Sequence, residues 1–159
     1  MATQQQEENN QYLTFNLDGE VFAVGVNKVR EVLDFSEVTS IPQTPTYMRG
    51  VINLRGSVIP VIDMRSKFGL PAAVETVNTC IIIVEVEMGN ETTVLGALVD
   101  SVQEVLDMEA EQIEPPPRLG SRMNSDFLHG MGKYDENFVM ILNIDKVFSS
   151  EELAMVQQD

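Results

Sequence analysis

The chain has 159 residues, 43% of them hydrophobic and 6% aromatic, with no tryptophan, one cysteine, one histidine and a formal net charge of −15. At that length one compact unit, or two small subdomains around one core, buries roughly two-thirds of the unfolded surface without a staple. The acidic charge repels phosphate backbones, so nucleic acid is not an expected partner; Cys80 alone cannot form an internal disulfide, and with His129 as the only imidazole no thiolate or imidazole metal cage can be built.

Residues 1–10 are polar and rich in glutamine and glutamate, and read as a disordered tail rather than a signal peptide, which needs a basic start and an apolar centre. No apolar run exceeds about six residues against the ~20 that span a bilayer, so the expectation is a cytoplasmic protein with no direct membrane insertion. Leu13, Phe15 and Leu17 alternate with polar residues, Asp18-Gly19 interrupts, and Phe22, Val24 and Val26 resume the alternation, which predicts a hairpin. Cys80 to Val86, the turn Gly89-Asn90 and Thr92 to Val99 predict a second one.

The two hairpins belong to a repeat. Val29-Arg30-Glu31-Val32-Leu33-Asp34 returns as Val102-Gln103-Glu104-Val105-Leu106-Asp107, just after the second hairpin. Ile41-Pro42 is matched by Ile113 and Pro115-Pro116-Pro117, Tyr47-Met48-Arg49-Gly50 by Phe127-Leu128-His129-Gly130, and Val58 to Ile62 with Asp63 by Phe138 to Leu142 with Asp145. Four features in one order at an offset of about 73 to 82 residues predict two copies of one small β unit. Short strands and frequent Gly, Pro and Asn turns favour an antiparallel barrel or sandwich of five strands per copy. Short helices are expected at Met64 to Phe68 and, capped by Ser149 or Ser150, at 150–157.

No catalytic set emerges. His129 matches Arg49 before a glycine, a strand start rather than a buried relay, and Cys80 opens an apolar run as a small core residue. Glu85 and Glu87, and Glu109, Glu111 and Glu114, read as solvated faces, with no calcium-loop or phosphate-cradling pattern. The proline run stiffens a loop. Gly50 to Asp63 is different: two strands with a turn at Arg55-Gly56 place a permanent charge at an exposed tip, where the second copy has Lys133-Tyr134-Asp135-Glu136-Asn137. All six cations of residues 1–80 fall between Lys28 and Lys67, so the first copy is locally neutral to positive.

Gly50 to Asp63, Ile41-Pro42 to Pro45, Val29-Arg30-Glu31-Val32, Gly96 to Val102, and Ile113 followed by prolines together resemble the CheW-like family of bacterial chemotaxis coupling proteins, over about Tyr12 to Val156. The domain also occurs in the histidine kinase CheA and in CheV, and the absence of room for their companion domains favours a free-standing adaptor. The resemblance implies a mainly all-β fold of two SH3-like five-stranded barrels in one domain over 11–156, the first about 11–70 and the second about 78–148 with a C-terminal helix over 150–157. It implies a scaffold without chemistry or cofactor, recruited to membrane receptor arrays. The scaffold would join the cytoplasmic tip of methyl-accepting receptors to the regulatory domain of CheA. Residue by residue it suggests Val29, Glu31, Gly50, Asn53, Leu54 and Arg55 as contacts, with Val99 and Val102 on the other wall of a groove between barrels. An adaptor for another chemosensory pathway, such as surface motility, is the alternative.

Overall fold

A computed structural model describes residues 10–35, 38–115 and 127–148. The expected tail up to residue 9, Pro116 and Pro117, and the expected helix over 150–157 lie outside the described residues. The strands are β1 (Gln11–Leu17), β2 (Glu20–Gly25), β3 (Val29–Asp34), β4 (Met48–Leu54), β5 (Ser57–Asp63), β6 (Cys80–Met88), β7 (Glu91–Val99), β8 (Ser101–Asp107), β9 (Ile113–Glu114), β10 (Leu128–Tyr134) and β11 (Asn137–Leu142). Two one-turn helices follow β5 and β11, α1 (Met64–Lys67) and α2 (Ile144–Val147). The chain is therefore mainly β, as expected, and the first short helix is present.

Local chemistry explains the hairpins. Asp18-Gly19, Arg55-Gly56 and Asp135-Glu136 all have positive φ at both turn residues, the two-residue turn whose twist matches that of paired strands. α1 starts where the Asp63 carboxylate accepts from the Arg65 and Ser66 N–H groups at 3.0 and 3.3 Å.

The strands form two sheets, ordered β8-β1-β2-β11-β10-β9 and β3-β6-β7-β5-β4. Sheet membership crosses the boundary between the two copies and does not coincide with the segments 11–70 and 78–148. The first copy's hairpin β1–β2 pairs with β8 and β11 of the second, and the second copy's hairpin β6–β7 pairs with β3 and β5 of the first. The registers are mates: Val61 lies beside Gly96 and Ile141 beside Ala23 in the two parallel pairings. The copies have exchanged hairpins. The strand pattern of a hairpin records its alternation but not which sheet receives it.

Two matches in the repeat shift once backbone partners are seen. Asp63 N–H donates to the Tyr47 carbonyl and Asn143 N–H to the Phe127 carbonyl, both at 2.7 Å, so Asn143 is the mate of Asp63 and Asp145 the mate of Arg65. Likewise Val38, not Ile41, takes the place of Ile113: each lies against a glycine mate, Gly50 or Gly130.

The central hairpins are buried on both faces. Ile81 and Ile83 of β6 join Ile52, Ile59, Val61 and Leu98 in a cluster within one sheet, whereas Ile82, Val84 and Val86 join Leu13, Phe15, Leu17 and Leu95 in a larger cluster shared by both. Tyr12, Ala23, Leu106, Met108, Val139 and Ile141 fill the other sheet. This explains the unbroken apolar run of β6, which a strand with one solvated face does not need. Phe15, Phe22, Phe68 and Phe127 form a stacked row with centroids 5.1 to 5.9 Å apart through the shared core.

Candidate functional site

The candidate residues lie mostly around one sheet that curls until its first and last strands approach. β3 and β4 stand at opposite ends of the strand order, yet Glu31 of β3 and Arg55 at the β4–β5 tip form an ion pair. Positive φ at Arg55 and Gly56 sets the tip, and the Asn53 side chain accepts from the Gly56 N–H at 2.9 Å. Asn53 thereby works as a turn-former. The turn directs Arg55 outward with its side chain 70% exposed while Glu31 is 30% exposed. A guanidinium held so openly retains most of its donors for another acceptor.

Gly50 has a backbone reason to be glycine. Its φ is +151°, and an added Cβ would lie 2.1 Å from the Thr39 carbonyl oxygen. The close approach lets Thr39 and Val51 exchange two backbone hydrogen bonds of 2.9 Å, tying the segment after β3 to β4. Arg49 beside it ion-pairs with Glu75 and lies over the Phe35 ring at 5.7 Å. That hydrogen bond from Arg49 holds the Glu75 carboxyl below its ordinary pKa.

Leu54 is half-buried and packs on its own sheet's cluster. Val29 and Val102 are half-buried at the margin of the shared core, and Val99 is 2% exposed within it. The structure thus gathers Glu31, Asn53, Leu54 and Arg55 at one tip, leaves Val29 and Val102 at the margin of the shared core with Val99 inside it, and buries Gly50 of β4 against Thr39.

Sequence reasoning did not find the ion pairs that fix this region. Arg65 of α1 donates through Nε and Nη2 to both Asp100 oxygens at 2.8 Å, and the Asp18 N–H donates to the same carboxylate at 2.8 Å. The arginine's hydrogen bonds hold the Asp100 carboxyl below its ordinary pKa. Asp100 lies on the connection that carries Val99 and Val102. The visible signal was an aspartate immediately after an apolar strand, which identifies no partner.

Two exposed apolar residues were also missed: Val58 at 68% and its mate Phe138 at 52% exposure, each the second residue of the strand after a charged tip. An open depression of 580 Å³ is lined by Tyr12, Met108, Ile113, Glu109, Glu114 and His129, with no serine, threonine or cysteine beside the imidazole. Among the described residues no three His, Cys, Asp or Glu side chains gather as a metal site, and no helix is long and apolar enough to cross a membrane.

Residues 11–152 match the CheW-like domain family. The chain is 36% identical over 146 residues to the chemotaxis protein CheW of Klebsiella aerogenes, covering 92% of this chain and 86% of that one. It is 34% identical over 140 residues to the chemotaxis protein CheW of Rhizobium meliloti, covering 88% of each. The crystal structure of the scaffolding protein TtCheW from Thermoanaerobacter tengcongensis superposes with a TM-score of 0.78 at 32% identity, covering 91% of this chain and 96% of that one.

Proposed function

This chain belongs to the CheW-like domain family, which makes it a coupling scaffold of chemotaxis, and we propose that it joins the cytoplasmic tip of methyl-accepting receptors to the regulatory domain of the kinase CheA. It acts by binding alone, with no catalysis of its own. A different chemosensory pathway, such as surface motility, is not favoured by relatives that are chemotaxis proteins.

The observation that carries the receptor assignment is the Arg55 tip. The scaffold around it is common to both copies, and the second tip presents Asp135 and Glu136 at the same turn positions. A charge that differs where the framework repeats belongs to recognition rather than folding. In this reading an extended helical receptor tip lays an apolar stripe along the sheet junction, against Val29 and Val102 with Val99 beneath. Arg55 binds a carboxylate or a helix-end carbonyl, positioned by Glu31, Asn53 and Leu54, while Gly50 keeps β4 close to Thr39.

Kinase docking falls to the apolar residues left outside. Val58 of β5 and Phe138 of β11 are mates among the exposed apolar residues, and we read each curled sheet as an SH3-like barrel that pairs with the kinase's own similar domain. Recruitment to membrane arrays follows from receptor binding. The test is calorimetric titration of a receptor signalling fragment: Arg55→Ala lowers affinity by about 1 to 3 kcal/mol, the range for a charge-assisted contact. Equal affinity of variant and wild type contradicts the assignment.

A further inference from the structure

The surroundings of the two charged tips are mates in the repeat, yet one is closed and the other open. In the five-stranded sheet Glu31 of β3 lies in register opposite Ile83, and its carboxylate meets Arg55 of the β4–β5 tip. In the six-stranded sheet the mate of Glu31 is Glu104 and the mate of Ile83 is Thr14, since Ile83 pairs with Gly96 and Thr14 with Ala23. Here the ladder breaks. Leu13 pairs with Val105 and Phe15 with Val102, so Gln103 and Glu104 together stand opposite Thr14. The buried Thr14 spans the break with its side chain: its hydroxyl donates to the Glu104 carbonyl at 2.8 Å and accepts from the Glu104 N–H at 3.1 Å. A bulge of this kind re-aims the side chains it carries. The mate of Arg55 is Asp135, so like charges stand where Glu31 and Arg55 attract.

The result is an open cleft of 540 Å³. Its floor is Val21, Leu106 and Val139, continuous with the apolar cluster inside that sheet, and Phe138 stands exposed at its side. Glu20, Glu104 and Asp135 supply its charge, and no lysine or arginine is among the described residues that line it. Such a cleft complements a ligand that carries a cation next to an apolar side chain. The apolar group removes the floor from water, and the cation relieves the repulsion between the carboxylates.

We propose that this cleft recognises an extended cationic segment of a partner protein, with one aliphatic or aromatic side chain seated on Val21, Leu106 and Val139 and a neighbouring lysine or arginine between Glu104 and Asp135. It shares only Phe138 with the proposed kinase contact and stands whichever protein brings the segment. The Arg55 tip takes no part in it.

The test is titration of isotope-labelled protein with the peptide Ac-KFRVK-NH2, read by amide shifts, with Ac-KARAK-NH2 as the probe that keeps the charge and lacks the apolar anchors. The first peptide is expected to shift the amides of Val21, Leu106 and Phe138, and the second to bind at least about tenfold more weakly. D135R/E136G gives the second tip the arginine and glycine that already adopt this turn in the first, and so sets a guanidinium opposite Glu104. It is expected to fold, by circular dichroism, and to weaken Ac-KFRVK-NH2 at least about tenfold, the size of a lost charge-assisted contact. Phe138→Ala is expected to weaken it several-fold. E111R/E114Q raises the net charge equally, on exposed residues of the depression beside His129, and is expected to change binding less than about twofold, as is Arg55→Ala. Absence of binding at about 1 mM peptide, equal binding of the two peptides, or retained binding by D135R/E136G overturns the proposal. So does equal weakening by E111R/E114Q, which would reduce the effect to the acidity of the whole chain.

Discussion

Arg55 and Gly50 lie five positions apart and respond to substitution in opposite ways. Arg55 is exposed and its turn conformation is held by Asn53 and Gly56, so Arg55→Ala is expected to leave the melting temperature within a few degrees while weakening receptor binding. Gly50→Ala puts a methyl group into the Thr39 carbonyl and forces a left-handed backbone, so stability falls by about 1 to 3 kcal/mol with the tip chemistry intact. Urea unfolding of both variants checks this, and a stable Gly50→Ala protein contradicts the close-approach argument. Asp100 adds a pH dependence. Arg65 lowers its carboxyl pKa in the folded protein, so its contribution is fully present above the unfolded value of about 4 and is lost as pH falls through the folded one. Thermal melts between pH 5 and 2 are therefore expected to decline less steeply for Asp100→Asn than for wild type, and identical slopes contradict the pairing.

At the scale of elements, the β4–β5 and β10–β11 hairpins are a natural experiment, having the same turn geometry and different charges. R55D/G56E gives the first tip the chemistry of the second. Glutamate already adopts a positive φ at position 136, so folding is expected to survive at a cost of about 1 kcal/mol. Receptor binding is expected to be lost, because a carboxylate replaces the guanidinium. Circular dichroism and calorimetric titration of the same sample separate the outcomes, and retained binding contradicts recognition through the tip. Much at this scale was legible beforehand. Alternation marked β1 and β2, β-branched runs marked β6 and β7, Asp18-Gly19, Gly89-Asn90 and Arg55-Gly56 marked turns, and the recurrence of Val29 to Asp34 marked the duplication. The match of Asp63 to Asp145 was misplaced because only backbone partners, the Tyr47 and Phe127 carbonyls, reveal Asn143 as the true mate.

For the whole molecule, exchanged hairpins make each sheet depend on both halves of the chain. Ile82 of β6 and Phe15 of β1 sit in the same cluster, and neither copy holds a complete sheet of its own. Unfolding is expected to be a single transition with coincident far- and near-ultraviolet signals, and two separated transitions contradict the interlocked core. This is also where sequence reading ran out. Periodicity reports which face of a strand is buried but not against whose neighbours, so the boundary between copies was visible while the crossing of hairpins was not. The candidate contacts were identified through family resemblance, and their physical sorting into an exposed tip, a half-buried junction and the buried Val99 and Gly50 required the fold.

The coupling role is tested most directly by ATP-dependent autophosphorylation of CheA in receptor-containing membranes, with this protein, without it, and with Arg55→Ala. The account predicts strong stimulation by the wild-type chain and a clear reduction by the substitution at equal protein concentration. Absence of stimulation by the folded wild-type chain, or full stimulation by Arg55→Ala at limiting concentration, would contradict it.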